Sequence, residues 1–537
     1  MGPSKLALAM TLRDPEAASA DAPGPGWTVA VFAAAVLVRA AAAWPSGKFP
    51  GDPDALLQGM RALEVLGGHF PVFASPARIG AFESYLDAPF LALLGPTRPA
   101  VFIAVLLEGL AAVAFVWLLA RRILEPRAAL LAALFFAVPA PGFLNVANRP
   151  TGYASILATG CAVLALAAAW DARPRQLTAF GLGLAAGLAW WCSIQTLSCT
   201  AAAAVWLLLQ GRRTSRAGML PAAAGGLVLG ALPWIVFSFR HDFDSIRKSY
   251  GAAPTHGIRS AISNAAYGLT SGFSDLVGSP AAGPAAWLAP IVILFHVAAI
   301  AWFIATSVRR SPRGAWQLPA LAALFSVLLF AVSAAGDRHE KATRLFILCY
   351  PLVAIADAAL SAALWHRARL AGVLVTAGLL AFHLGGYEKP WSETRALRRE
   401  AAADDARLLA FLDENRIGAV VGDYWSVYSF NYLSGGRVRA VSADPIVDYH
   451  HYGDRLAPSG VRWALVGDEP GVVERWAARA APRGVSLRVG RYTVLVPDPN
   501  PPGETSAEFQ RRLQLSFLLP ERVVKTETQE LPLALWR

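Results

Sequence analysis

The sequence predicts a polytopic α-helical membrane protein carrying a small α/β domain outside the membrane. Three observations predict it. Of the 537 residues, 55% are hydrophobic and only 16% charged, whereas soluble domains carry roughly a quarter charged residues. Apolar runs long enough to cross a bilayer recur from about residue 27 to 386, and the mean hydropathy of the whole chain is +0.44. From about Tyr387 the pattern changes to short apolar strands alternating with helix-like stretches, as a small α/β domain requires.

The apolar runs fall at about 27–46, 99–120, 128–142, 151–170, 178–192, 196–210, 218–239, 285–307, 317–335, 344–364 and 368–386. They predict about eleven spans, with 128–142, 178–192 and 196–210 the shortest. The first run, Trp27 to Trp44, reads as an uncleaved span rather than a signal peptide, because the acidic loop after it needs an anchor on both sides. Alternate connectors are rich in arginine: Arg121, Arg122 and Arg127; Arg173 and Arg175; Arg212, Arg213 and Arg216; Arg309, Arg310 and Arg313; Arg367 and Arg369. Against these thirteen stand two acids, Glu125 and Asp171. The positive-inside rule places all five connectors in the cytoplasm, so the N-terminus is inside and everything after the last span is outside. The net charge of +11 is thereby a matter of orientation and implies no nucleic-acid partner. Cys161, Cys192, Cys199 and Cys349 all fall in or beside apolar segments, with neither disulfide nor metal-ligand spacing; they read as small core residues.

The segment 51–95 lies between the first two spans. Asp52-Pro53-Asp54 opens a helical pattern, an acid at the cap and proline at the first helical position, and Gly67-Gly68 closes it. Leu56, Met60 and Leu63 form its apolar stripe. In the next helix Phe82, Leu86 and Phe90 form one row, and Glu83 and Asp87 an adjacent acidic row. Asp52 is fully explained as a helix cap, and Glu83 with Asp87 as a solvated face. Two acid-bearing amphipathic helices beside a membrane equally suit an interfacial site, where a carboxylate can act as general base towards a hydroxyl or amine.

Further candidates lie on the same outer face. Asp337-Arg338-His339-Glu340-Lys341, followed by Arg344, is a basic cluster at membrane level. Arg344 can simply snorkel at a span boundary, or bind a lipid-linked phosphate bidentately. Asn148-Arg149-Pro150-Thr151-Gly152-Tyr153 reads as a turn with a boundary arginine or as a substrate contact. Arg240-His241-Asp242-Phe243-Asp244 reads as a loop start. His256 has no partner at ligand spacing, so no metal is implied. Neither a phosphate-binding nucleotide loop nor a dinucleotide fingerprint is present.

In the outer region Gly418–Asp423, Val438–Val441 and Trp463–Val466 read as strands, Gly471–Ala481 as a helix, and a helical pattern opens at Ala406. The expected organisation is a membrane module over 1–386 with its first outer loop at 47–98, an α/β domain over 387–499 and a tail over 500–537.

The segment GAFESYLDAPFLALLG, its "GD" start and "LGGHFPVF" look like the first outer loop of the membrane-embedded GT-C glycosyltransferases. RPTGYASIL, LAWWCSIQTL, LGALPWIVF, RLFILCYPLVA and GDYWSVYSFNYLSGGRV follow in the matching order. The chain resembles bacterial relatives of protein O-mannosyltransferases and aminoarabinose transferases over about residues 27–445. That resemblance implies a GT-C-like membrane module and a polyprenyl-phosphate-linked sugar as donor. It also implies an extracytoplasmic protein, lipid or glycan as acceptor, transfer with inversion, and a place in the plasma (inner) membrane.

By position, Asp52 matches the family's catalytic acid, Glu83 the second acidic position and Arg344 the basic residue entering a late span. Asp54, Arg149, Tyr153, Arg338 and Lys341 would bind substrate, with no cofactor beyond the lipid-linked sugar. The chain departs from the family in having Pro53 where a second acid often follows the first, and Ser75-Pro76-Ala77-Arg78 in place of an aromatic-glycine phrase. Two other classes fit the span count: a transporter or lipid flippase, which calls for ionisable residues in mid-membrane such as Arg39 and Glu108, and an inactive scaffold of the same fold.

Overall fold

The computed structural model describes residues 24–43, 53–75, 79–210, 218–243, 257–278, 286–311, 313–332, 342–422, 424–442, 462–468, 471–474 and 484–497. The tail from 498 and most of the helix expected over 471–481 lie outside the described residues. In chain order the elements begin α1 Pro25–Ala43, α2 Pro53–Leu66, β1 Phe73–Ser75, β2 Ile79–Gly80, α3 Phe82–Leu94, α4 Arg98–Ile123, α5 Pro126–Ala137 and α6 Pro141–Ala147. There follow α7 Tyr153–Ala172, α8 Gln176–Cys192, α9 Leu197–Leu209, α10 Leu220–Arg240, α11 Ile258–Tyr267, α12 Phe273–Val277, α13 Ala289–Arg310, α14 Gln317–Val332, α15 Ala342–Leu345 and α16 Tyr350–Arg367. The chain ends with α17 Arg369–Glu414, β3 Ile417–Gly422, α18 Tyr424–Leu433, β4 Arg439–Ser442, β5 Arg462–Gly467, β6 Gly484–Val489 and β7 Tyr492–Pro497.

Among the described residues each of the eleven apolar runs is mainly helical, but not all are spans by length. Among the described residues six helices are long and apolar enough to cross a membrane, or seven if the bent pair α5–α6 is one span. Four apolar helices, at 25–41, 176–192, 194–209 and 317–332, are shorter. Three expectations need correcting. The run 128–142 is not one straight span: α5 and α6 meet at 71°, because Pro139 and Pro141 supply no amide hydrogen and crowd the turn before them. The run 344–364 opens with the short helix α15 and a 3₁₀ turn, Ile347–Cys349, before α16 begins. The helix placed to start at Ala406 is instead the far part of α17, whose Ala-, Glu-, Arg- and Leu-rich sequence over 395–414 favours unbroken helix.

The chain divides into two compact units, one of residues 1–44 and 105–391 and the other of 45–104 and 392–537. In the first unit, α7 and α16 are buried along most of their length. The closest helix pair is α8 with α10, and its cause is small residues. Gly183 and Gly187 on α8 face Gly226 and Gly230 on α10, and a Cβ on any of the four would lie 1.9–2.4 Å from a backbone carbonyl oxygen of the other helix. Two Gly-x-x-x-Gly repeats thus let the backbones touch, which is how helices associate where lipid removes the hydrophobic drive.

In the second unit the strands form one sheet in the order β4-β3-β5-β7-β6. β4, β3 and β5 run parallel, while β7 pairs antiparallel with both β5 and β6. The three expected strands are β3, β4 and β5; the hairpin β6–β7, turning at Gly490 with φ +59, was not foreseen. Helices α2, α3 and α18 and the end of α17 share a single apolar core with this sheet, including Leu56, Met60, Leu91, Leu408, Val420, Phe430, Tyr432 and Val494. The first outer loop is therefore built as part of the α/β unit.

Candidate active site

In the second unit the acid-bearing helices pack against each other. The stripe Leu56, Met60 and Leu63 of α2 is buried or half-buried as its spacing requires. On α3 the expected solvated face is the buried one. Glu83, Ser84 and Asp87 are all 0% exposed, while Phe82, Leu86 and Phe90 are only half-buried. Ser84 Oγ donates to Gln58 Oε1 at 2.6 Å, tying the acidic row to α2. The i, i+4 spacing of Glu83 and Asp87 puts the two carboxyls one above the other.

α18 closes over α2 at Gly59, where a Cβ would lie 2.5 Å from the Tyr432 ring. Burial, and then the negative charge of Asp87, push the Tyr432 phenol above its ordinary range. Its hydroxyl donates to the carbonyl of Thr97 at 2.7 Å. Burial likewise raises the phenol of Tyr85, which donates to the Pro71 carbonyl at 2.9 Å. Asp52 and the side chain of Asp54 lie outside the described residues.

In the first unit the remaining described candidates gather at the end away from the arginine-rich connectors. α6 packs against α1, α7, α12 and α15. Arg149 is half-buried in the turn after α6, and Tyr153 is buried at the start of α7. Gly152, at φ +84, permits that turn. Arg344 is half-buried on α15. Arg338 and Lys341 lie outside the described residues.

The same end holds a buried polar belt that sequence reasoning missed. The break between α5 and α6 leaves carbonyls without helical partners, and neighbouring helices supply donors. Arg39 Nη2 donates to the Phe136 carbonyl at 3.3 Å, His383 Nδ1 to that of Val138 at 2.9 Å, and the Tyr387 hydroxyl to that of Pro139. The amide of Ala140 donates to the Tyr350 hydroxyl at 2.7 Å, and Asn148 Nδ2 donates to the Arg39 carbonyl at 2.9 Å. Re-satisfying a broken helix in this way is obligatory where no water is present. The signal available in the sequence was Val138-Pro139-Ala140-Pro141 itself, since a double proline inside an apolar run demands such donors.

The other ionisable residue expected in mid-membrane, Glu108, accepts from the Ser155 hydroxyl. His296 Nδ1 and Asp357 Oδ2, 2.8 Å apart, form a further buried pair that was not anticipated. Among the described residues no group of three or more His, Cys, Asp or Glu side chains is placed to hold a metal ion.

Residues 82–237 match the family model for dolichyl-phosphate-mannose-protein mannosyltransferases. The match begins on α3, one residue before Glu83, and takes in Arg149 and Tyr153. In fold, the chain is similar to the crystal structure of ArnT from Cupriavidus metallidurans bound to undecaprenyl phosphate. The TM-score is 0.61 at 15% identity, over 88% of this chain and 98% of that one. The chain shares the fold of that ArnT structure.

The apo form of the same ArnT aligns with this chain at TM-score 0.59 and 14% identity, over 88% of this chain and 97% of that one. The oligosaccharyltransferase AglB from Archaeoglobus fulgidus, in complex with an inhibitory peptide and a dolichol phosphate, aligns at TM-score 0.45 and 12% identity. That alignment covers 91% of this chain and 77% of that one. No curated protein matches the sequence.

Proposed function

We propose that this chain is a membrane glycosyltransferase that moves a sugar from a polyprenyl-phosphate donor to an acceptor hydroxyl or amine on the outer face of the plasma (inner) membrane. The observation that carries the reading is the dry acidic row of α3. Two carboxyls at 0% exposure lie four residues apart on one helix face, and they stand at the start of the segment matching the mannosyltransferase family. The fold shared with an ArnT crystallised with undecaprenyl phosphate supports the choice of donor.

In the proposed reaction Asp52 takes the proton of the acceptor O–H or N–H as the freed lone pair attacks the anomeric carbon. The bond from that carbon to the phosphate oxygen breaks with inversion, and the polyprenyl phosphate leaves with the bonding pair. Arg344, assisted by Arg338 and Lys341, binds the phosphate as charge develops on it. Glu83 orients a substrate, and Asp54, Arg149 and Tyr153 line its path. The leaving group is already activated, so the scheme calls on neither nucleotide nor metal. The acceptor is a protein, lipid or glycan outside the cytoplasm.

Transfer from a radiolabelled polyprenyl-phosphate sugar, measured with the purified chain and its Asp52→Asn variant, tests the assignment. General-base removal costs on the order of 10²–10⁴-fold; full transfer by the variant would show that Asp52 is not the base.

A further inference from the structure

A cavity lies far along the sequence from the acidic row, entirely within the first unit, and the proposed reaction makes no use of it. It measures about 420 Å³, within the range of small-molecule sites. Its walls come from the ends of α4, α7, α9, α13 and α16, the start of α5 and the connector that leads into α14, so it opens where the arginine-rich connectors meet the helix bundle.

The lining is graded. Arg121, Arg122 and Arg313 are exposed and Arg310 half-exposed, and together they edge the mouth. The floor is apolar and small: Ala168, Ala359 and Phe303 are each 3% exposed or less. Four arginines therefore face two carboxylates, Glu125 and Asp171. Of these, Glu125 stands 3.0 Å from His366 Nε2, another mouth residue, and is partly engaged there.

Hydrogen bonds hold the walls in place. Trp206 Nε1 donates to the Gly314 carbonyl at 3.2 Å, Gln210 Nε2 to that of Arg313 at 2.8 Å, and Trp316 Nε1 to that of Ser311 at 2.8 Å. Two of the residues so fixed, Ser311 and Arg313, belong to the connector that carries Arg310, which gives the mouth a set shape.

We infer that this cavity is a binding site for an anionic phospholipid of the leaflet next to the arginine-rich connectors. The headgroup phosphate sits among the mouth arginines and the start of an acyl chain lies on the alanine floor. A phosphate diester supplies the charge that guanidinium groups bind bidentately, and basic pockets between spans on the cytoplasmic side suit anionic headgroups. The apolar floor separates this occupant from a free phosphate, which has nothing to place there. The positive-inside rule puts the site in the cytoplasmic leaflet, opposite the proposed chemistry.

The full chain in neutral detergent, titrated with phosphatidylglycerol carrying brominated acyl chains, tests this directly. Trp206, Trp302 and Trp316 line the cavity and report the bromines by fluorescence quenching. Saturable quenching is expected with phosphatidylglycerol, but not with brominated phosphatidylcholine at equal concentration. The Arg310→Gln/Arg313→Gln double variant should bind about tenfold to thirtyfold more weakly, and the double lysine variant should recover part of the loss.

Ala362→Leu, which fills the floor without touching charge, should also weaken binding and stands in if the double variant does not fold. Equal quenching by the two lipids, or unchanged affinity in both Arg310→Gln/Arg313→Gln and Ala362→Leu, overturns the proposal. Displacement of the lipid by millimolar inorganic phosphate also overturns it, in favour of a soluble anion. Sugar transfer is measured in parallel and need not change, so this test stands apart from that of Asp52.

Discussion

Arg39 in the first unit and Asp405 in the second are both 1% exposed, yet they are held by different kinds of partner. Arg39 faces backbone: it donates to the Phe136 carbonyl, and its own carbonyl accepts from Asn148. Asp405 faces side chains: it accepts from Arg98 at 2.5 Å, from Arg491 at 3.3 Å and from the Tyr492 hydroxyl at 2.5 Å. Inside the bundle the expensive group is a broken backbone, so scarce polar side chains go to carbonyls. In the α/β unit the sheet satisfies its own backbone, and the buried charge of Asp405 meets opposite charge. The acidic row of α3 differs from both in stacking two carboxyls, four residues apart, on one dry helix face.

The comparison can be broken by substitution. The largest effect expected is on stability at Asp405. Asp405→Asn leaves Arg98 and Arg491 facing a neutral amide and should cost about 3–5 kcal/mol, read as a lower unfolding midpoint; a loss under about 1 kcal/mol would mean the cluster is not a charge-matched core. Glu83→Gln, nearly isosteric, should leave the unfolding midpoint within a few degrees of the parent while lowering sugar transfer by about 10²-fold or more. If stability falls and the activity per folded molecule is kept, the acidic row is structural and belongs with Asp405.

Gly187→Ala sharpens the other side of the comparison, where backbone rather than charge decides. Its Cβ would meet the Leu227 carbonyl oxygen at 2.3 Å, so α8 and α10 must separate at a cost of about 1–3 kcal/mol, visible as a lower midpoint in detergent. An effect of similar size is expected for Tyr492→Phe, about 1.5–3 kcal/mol, the range for a hydrogen bond to a charged group.

That last substitution also carries a pH signature. Burial, and then the charge of Asp405, raise the Tyr492 phenol above its ordinary value of 10.0. A raised value means that the folded state holds the proton more tightly than the unfolded one. Its stabilisation is therefore complete below pH 10 and declines as pH climbs above that towards the folded-state value. Tyr492→Phe should flatten this alkaline decline, and an unchanged alkaline profile would place the titration elsewhere.

Helical periodicity and proline positions made α2 and α3 legible from the sequence, and the apolar runs marked the long helices of the bundle but not α11 and α12. What was not legible followed from partners far along the chain. Glu83 and Asp87 sit at a spacing that fits a solvated face as well as a buried one; the packing of α2 and the sheet unit against α3 decides between them. Arg39 reads as a stray charge in an apolar run until the 71° break at Pro139–Pro141 supplies its carbonyl. The hairpin β6–β7 escaped notice because Gly484–Val489 is largely exposed and so lacks the alternation by which a half-buried strand is recognised.

By itself the sequence determined the membrane character of the chain, the positions of its helices, the arginine-rich face and the family resemblance. These depend on composition, local periodicity and short ordered phrases, all of which are written along the chain. Only the tertiary structure decided which face of α3 is dry, which backbone carbonyls need donors, and that the arginine connectors enclose a cavity. Those depend on which surfaces meet, and surfaces separated by a hundred residues or more meet only after folding.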